Sequence, residues 1–319
     1  MFHYDRGLFL TKSRLALDVQ RRQARGFVSH AHADHMGRHE LALCTPATSV
    51  LYQHRCGRRA VLEMPYGEPT VWNDLRLTTF AAGHCLGSAM LLAEEGGTSL
   101  LYTGDFKLSP SATARQADPP RADILIMEST FGKPEYRLPP RDDSIDQLLA
   151  LVNQALAAER APVIHAYVLG KSQEVTRILT AAGIPVQQHP QIYEISRLYQ
   201  SCGVELGSFH RYERNWIPGH AVVTPPRNSK AFRLPGLPSP VSIAVTGWAA
   251  HPSTKYRLRV DHAVALSDHA DFDELVQLVD RVQPREIYCT HGPESFADHL
   301  CGLGWNARPL VPSPQKRLF

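Results

Sequence analysis

Six residues, His30-Ala31-His32-Ala33-Asp34-His35, constrain this chain more than any other stretch, because they crowd three imidazoles and a carboxylate behind an apolar run, Gly26-Phe27-Val28-Ser29. That run reads as a strand, and Met36-Gly37-Arg38-His39-Glu40-Leu41 reads as a helix start, so the cluster is expected on a strand-to-helix turn. Side chains alternate along an extended chain, so His30 and His32 point the same way, while Asp34 and His35 fall where the chain tightens. Two donor pairs then face two neighbouring points. Nitrogen and carboxylate donors without thiolate suit Zn²⁺, Mn²⁺ or Fe at a hydrolytic site better than a structural zinc knot.

Six residues cannot close two coordination spheres, so further donors must arrive from elsewhere. The rest of the chain repeats one pattern, in which an apolar, β-favouring run stops at a residue able to bind metal or carry a proton. Leu75-Arg76-Leu77-Thr78-Thr79-Phe80 ends in Ala81-Ala82-Gly83-His84, with Gly83 permitting the turn that exposes His84. Thr98-Ser99-Leu100-Leu101-Tyr102-Thr103 stops at Gly104-Asp105, and Ala122-Asp123-Ile124-Leu125-Ile126-Met127 stops at Glu128-Ser129-Thr130. Later, Ala263-Val264-Ala265-Leu266 runs into Ser267-Asp268-His269-Ala270-Asp271 ahead of a helical stretch over 272–282, and Glu286-Ile287-Tyr288-Cys289-Thr290 leads to His291-Gly292. An α/β fold gathers such residues at one edge of its sheets.

On these residues the chain resembles the metallo-β-lactamase superfamily and, within it, the β-CASP nucleases. His30-Ala31-His32-Ala33-Asp34-His35 matches the superfamily signature, His84 the next ligand motif, Asp105 the bridging aspartate and His291 the last ligand. Glu128, His269 and His291 match the three motifs that mark the β-CASP branch, and Gly170-Lys171-Ser172-Gln173-Glu174 resembles the segment that opens a helix of its inserted domain. The resemblance implies an α/β chain: a metallo-β-lactamase αββα sandwich, 1–142 and 241–319, interrupted by an inserted β-CASP α/β domain, 143–240. It also implies two divalent metal ions, Zn or Mn, one on His30, His32 and His84, the other on Asp34, His35 and His291, with Asp105 between them. Asp34, Glu128 and His269 are the implied catalytic residues.

Further stretches look like the bacterial ligase-associated DNA exonucleases: Pro65-Tyr66-Gly67-Glu68-Pro69, Gly83-His84-Cys85-Leu86-Gly87-Ser88-Ala89, Glu128-Ser129-Thr130-Phe131-Gly132 and the run from Leu266 to Asp271. They imply a DNA exonuclease acting in repair on single-stranded DNA, associated with a DNA ligase and a helicase. The alternative is an RNA nuclease in RNA processing. His291 favours it, because that motif tends to be His in RNA nucleases and Val in eukaryotic DNA repair members. Small-molecule hydrolases of the superfamily lack the insert and the Glu128 and His269 motifs, and a metal-free scaffold would have lost ligands.

Within this scheme His269 is the candidate general acid, and Glu128 would keep its imidazole protonated. Gly170-Lys171-Ser172 after Pro162-Val163-Ile164 invites a P-loop reading, which fails because His165 stands where the motif needs Gly. What remains is a helix start that either holds a phosphate through its N–H groups and Lys171 or is an ordinary one. Lys171 and Ser267 are the expected substrate contacts.

At 319 residues the chain has room for about two domains. Pro139-Pro140-Arg141-Asp142 is expected to lead out of the first half into an amphipathic helix over 144–158, and the Pro-rich stretch from Pro225 to Pro240 is expected to mark the return. A net charge of +3 permits nucleic-acid binding without requiring it. Lys255, Arg257 and Arg259 form either a backbone contact or a solvated face. Six cysteines without a CxxC pair read as reduced thiols of a cytoplasmic protein. Charges at Asp5, Arg6, Lys12 and Arg14 leave no signal-peptide core.

Overall fold

The computed structural model of the chain describes residues 1–72, 74–226, 234–237 and 239–311. They form two units: Met1–Pro110 with Ala114–Lys133 and the described residues from Asp273 on, and Ser111–Thr113 with Pro134–Phe272.

Short runs of buried apolar residues build two sheets in the first unit. One holds, in spatial order, Phe2–Tyr4, Leu8–Leu10, Leu15–Leu17, Arg25–Phe27, Leu41–Cys44 and Ala60–Glu63. The other runs Ala307–Pro309, Glu286–Thr290, Ile124–Glu128, Thr98–Tyr102, Ala89–Glu95, Leu75–Ala81, Pro69–Trp72. Leu17, Phe27 and Leu43 of the first sheet share one core with Leu77, Leu91, Leu100 and Ile126 of the second, the sheet-on-sheet packing that alternating patterns dictate. Helix Pro46–Cys56 covers the far side of the first sheet through Tyr52, which meets Val28, Ala42 and Cys44. Helix Ser295–Gly302 packs on Glu286–Thr290 and Ala307–Pro309 of the second. The layers are helix, sheet, sheet, helix, the expected αββα sandwich.

The expected helix over 36–41 is absent, and the chain passes through turns and bends to Leu41–Cys44. The cause is local. The N–H groups of Glu40 and Leu41 bond the carbonyls of Gln23 and Ala24, and the Gly37 carbonyl accepts from Tyr52, so these groups serve packing instead of a helical ladder. The His39 ring lies so close over Gly26 that an added Cβ there would meet His39 Nε2 at 2.4 Å.

In the second unit all strand pairings are parallel, in the order Phe209–Arg211, Val186–Gln188, Ala221–Thr224, Pro162–His165, Val241–Val245, His262–Val264. Helices Arg141–Ala157, Lys171–Ala181 and Pro190–Ser201 bury Leu148, Val152, Val175, Leu179 and Ile192 against Ile164, Val223, Ile243 and Val264. The expected helix begins earlier than 144, inside the segment read as a linker, because Pro140 precedes it and Asp142 and Asp143 complement its N-terminal dipole. The expected return at 240 falls inside this unit, because Val241–Val245 pairs with Pro162–His165 and His262–Val264 pairs beyond it. Of the Pro-rich return, 227–233 and 238 lie outside the described residues. Among the described residues no helix is long and apolar enough to cross a membrane.

Candidate metal centre

Thr98–Tyr102, Ile124–Glu128 and Glu286–Thr290 are adjacent and parallel, with Tyr102 opposite Ile126 and Glu128 opposite Thr290, so their C-terminal ends open on one edge. Asp105, Glu128 and His291 come off that edge. Leu75–Ala81 runs in the same direction, two antiparallel pairings away, so the turn carrying His84 joins them. Gly83 has φ +79°, and an added Cβ would meet the Lys107 carbonyl at 2.1 Å, which closes this turn to any larger residue. His291 itself sits at φ +56°, a backbone region that a non-glycine residue enters at a cost. The first sheet contributes His30, His32 and His35 beyond the end of Arg25–Phe27.

These side chains converge. His32 Nδ1 lies 3.0 Å from His30 Nε2 and 3.1 Å from His84 Nε2. Asp105 Oδ2 lies 3.2 Å from His35 Nε2, 3.5 Å from His30 Nε2 and 3.9 Å from His84 Nε2. The donors form two sets that share Asp105: His30, His32, His84 and Asp105, and His35, Asp105 and His291. Within each set the ligand atoms lie within 4.8 Å of one another.

Behind them stands Asp18, which sequence reading missed. Its carboxylate accepts from the Ser29 N–H at 2.7 Å, the Ser29 hydroxyl at 2.5 Å and the Tyr102 hydroxyl at 2.9 Å, and it lies 2.8 Å from His35 Nδ1. A carboxylate only accepts, so His35 Nδ1 carries the hydrogen and Nε2 faces Asp105. The single Ser29 proton goes to Asp18, so the 2.9 Å contact between Ser29 Oγ and His30 Nδ1 is a bond donated by the imidazole. His30 Nε2 is thereby the lone-pair nitrogen aimed at the cluster. One buried aspartate thus orients two imidazoles, as metal-binding histidines require. Leu15-Ala16-Leu17-Asp18 is another apolar run ending in a carboxylate, so the rule that found Asp105 and Glu128 applies to it as well.

The electrostatics fit divalent cations. Burial, with His35, His32 and His84 around it, pushes His30 well below the usual imidazole range, so it is neutral. Burial also works against a proton on His35, yet Asp105 and Asp18 outweigh it and hold that ring well above the usual range. The site therefore recruits positive charge beside Asp105, which a proton or a metal can supply.

The other expected site residues have distinct surroundings. Asp34 stays at the rim, its side chain 72% exposed and Oδ2 3.8 Å from His35 Nε2, outside both donor sets. Buried Glu128 accepts from the Phe106 N–H at 2.9 Å and the Thr130 hydroxyl at 2.6 Å, which ties it to the loop carrying Asp105. His269 belongs to the second unit, where its N–H bonds Ser267 Oγ at 2.9 Å. Lys171 and Ser267, read as substrate contacts, are instead engaged by their own unit. Lys171 is buried with Nζ 3.2 Å from Glu174 Oε2 and 3.6 Å from Asp268 Oδ1, and the Ser267 hydroxyl donates to the His269 carbonyl. The start of helix Lys171–Ala181 is similarly occupied, since the Gly170 N–H bonds Gln173 and the Ser172 N–H bonds the Tyr167 carbonyl. Cys289, two residues before His291 in the chain, is buried, and burial pushes its thiol up to about 12.

Residues 255–308 match the family described as Zn-dependent metallo-hydrolase RNA specificity domain. The chain is 35% identical over 308 residues to the probable DNA ligase of Opitutus terrae, which covers 95% of this chain and 30% of that protein. It is 30% identical over 277 residues to the 5′ exonuclease Apollo of Gallus gallus, covering 82% of this chain and 57% of that protein. The chain thus spans less than two thirds of either relative. A solved protein of unknown function from Enterococcus faecalis shares the fold, with a TM-score of 0.56 at 14% identity over 84% of this chain and 75% of that one. With its αββα layers and its histidine–aspartate edge, the chain belongs to the metallo-β-lactamase superfamily, in the β-CASP nuclease family.

Proposed function

We propose that the protein is a binuclear metal-dependent phosphodiesterase, a nuclease that trims single-stranded DNA as an exonuclease in repair. The meeting of two donor sets on Asp105 carries this reading. His30, His32, His84 and Asp105 would hold one ion, and His35, His291 and Asp105 the other, with Asp34 at the rim. Zn²⁺ and Mn²⁺ both suit these donors. When bound, such a pair activates a water and polarises a phosphoryl oxygen.

The chain's own residues prepare that chemistry. Asp18 fixes the tautomers of His35 and, through Ser29, His30. Glu128 anchors the Asp105 loop through the Phe106 N–H. His269 is the proposed proton donor to the leaving oxygen, a role supported by its motif and by the turn that Ser267 closes around it.

The likeness to a protein named a DNA ligase and to a 5′ exonuclease supports DNA as substrate and work beside a DNA ligase; the proposed helicase association rests on the motif resemblance alone. RNA is the second reading, favoured by His291 and by the RNA specificity domain matched at 255–308. Parallel digests of end-labelled single-stranded DNA and RNA, with Zn²⁺ or Mn²⁺ loaded, test both. Shortening of DNA with RNA intact is the expected result, cutting of RNA alone supports the second reading, and no cutting of either rejects the nuclease. His269→Ala that retains both metals and near-normal turnover would remove the acid role.

A further inference from the structure

In an open parallel sheet, ligands enter the crevice outside the C-terminal strand ends where successive connections part in opposite directions. One such point of the second unit lies between Pro162–His165 and Val241–Val245. From Pro162–His165 the chain crosses toward Val186–Gln188 on one side, and from Val241–Val245 it crosses to His262–Val264 on the other, while these two departing strands are neighbours. A cavity of about 200 Å³ lies there, lined by His165 and Tyr167 after one strand, Thr246 and Trp248 after the other, and Arg257.

Topology locates the cavity, and its lining says what fits. Three ring-bearing side chains surround it, and at least two are held ready. His165 is buried and donates from Nδ1 to the Pro225 carbonyl at 3.2 Å. Trp248 meets Tyr136 edge-on at 5.3 Å, and its carbonyl accepts from the Thr254 hydroxyl at 2.6 Å. Tyr167 is 52% exposed, offering a face to an incoming ring. The volume is below the roughly 300–1,000 Å³ that encloses a drug-sized ligand, so it suits one ring system and not a whole nucleotide. Arg257 brings charge to its wall. Lys255, Arg259 and the 73% exposed Tyr256 flank Arg257 in the chain, so cations alternate with an aromatic along this segment.

We infer that this cavity is a stacking site for one unpaired base of a single-stranded nucleic acid, with Tyr167 and Trp248 meeting the base and Arg257 the adjacent phosphate. Aromatic platforms beside cations are how proteins track single strands, because every base has a stacking face. A base inside a duplex could reach the cavity only by extrusion. The inference rests on the reading of the chain as acting on nucleic acid, and it adds a contact outside the metal centre.

Anisotropy with the metal-loaded full chain tests it, using labelled phosphorothioate oligo-dT, oligo-rU and an abasic strand of the same length. Tyr167→Ala is expected to weaken oligo-dT and oligo-rU about 5- to 150-fold, the worth of one stacked base, and to leave the abasic strand unchanged. Tyr167→Phe keeps wild-type affinity. Arg257→Ala weakens all three and reduces the salt slope by about 0.7, one phosphate contact. Wild-type affinity in Tyr167→Ala, equal weakening on the abasic strand, or no binding by the wild type overturns the inference. Hydrolysis of unmodified strands is scored separately: binding lost with cutting absent in the wild type leaves the stacking site standing and removes the nuclease reading, and cutting with unaltered binding in Tyr167→Ala does the reverse.

Discussion

Two buried clusters of charge in this molecule are built from different partners. In the first unit Asp105 meets imidazoles, His30, His35 and His84. In the second, Glu174 meets the ammonium of Lys171 and the guanidinium of Arg141 at 2.8 Å, and Asp268 lies 3.6 Å from the same ammonium. A neutral imidazole offers a lone pair and can exchange a proton for a metal, whereas an ammonium has no lone pair while it stays charged. The first cluster is therefore able to accept an external cation, and the second carries its own. Buried charge marks a reactive centre only when its partners can give up their protons.

Treatment with a chelator should separate the two most sharply: hydrolysis is lost entirely and returns on adding Zn²⁺ or Mn²⁺, while the circular dichroism of the second unit's helices is unchanged. Removing the internal cation is next. Lys171→Met takes the ammonium away from Asp268 and from one side of Glu174, and denaturant melts should show a loss of about 3 kcal/mol, the low end for a broken buried pair because Arg141 still serves Glu174. Asp18→Asn should reduce metal affinity or turnover about 10- to 100-fold with little change in stability, by loosening the orientation of His35 and His30. The smallest effect belongs to an exposed pair: Arg308→Ala, which removes the 2.6 Å contact with Glu286, should cost less than about 1 kcal/mol and leave metal binding intact. A Lys171→Met variant that lost metal instead of stability would break the distinction.

Strand ends were the legible part of the site. Asp105, Glu128 and His291 follow apolar runs that match Thr98–Tyr102, Ile124–Glu128 and Glu286–Thr290 closely, because buried parallel strands are near-continuous apolar runs. Asp18 follows the same rule after Leu15–Leu17, but that run is only 3 residues long, against 5 each for Thr98–Tyr102 and Ile124–Glu128, so it did not stand out as a strand. The helix expected over 36–41 failed because the pattern registers propensity, and these residues are tied to Gln23, Ala24 and Tyr52. The domain return at 240 failed because the partner of Val241–Val245 is Pro162–His165, far back in the chain.

From its residues alone this chain settled which side chains carry nitrogen and carboxylate donors and that they stand where strands stop, since both are matters of composition and short-range periodicity. Tertiary structure decided that two donor sets share Asp105, that Asp18 turns two imidazoles inward, and that Lys171 is spent on Glu174 and Asp268. Each of these depends on which strands become neighbours, and strand order is set by packing between distant segments, which no local pattern records.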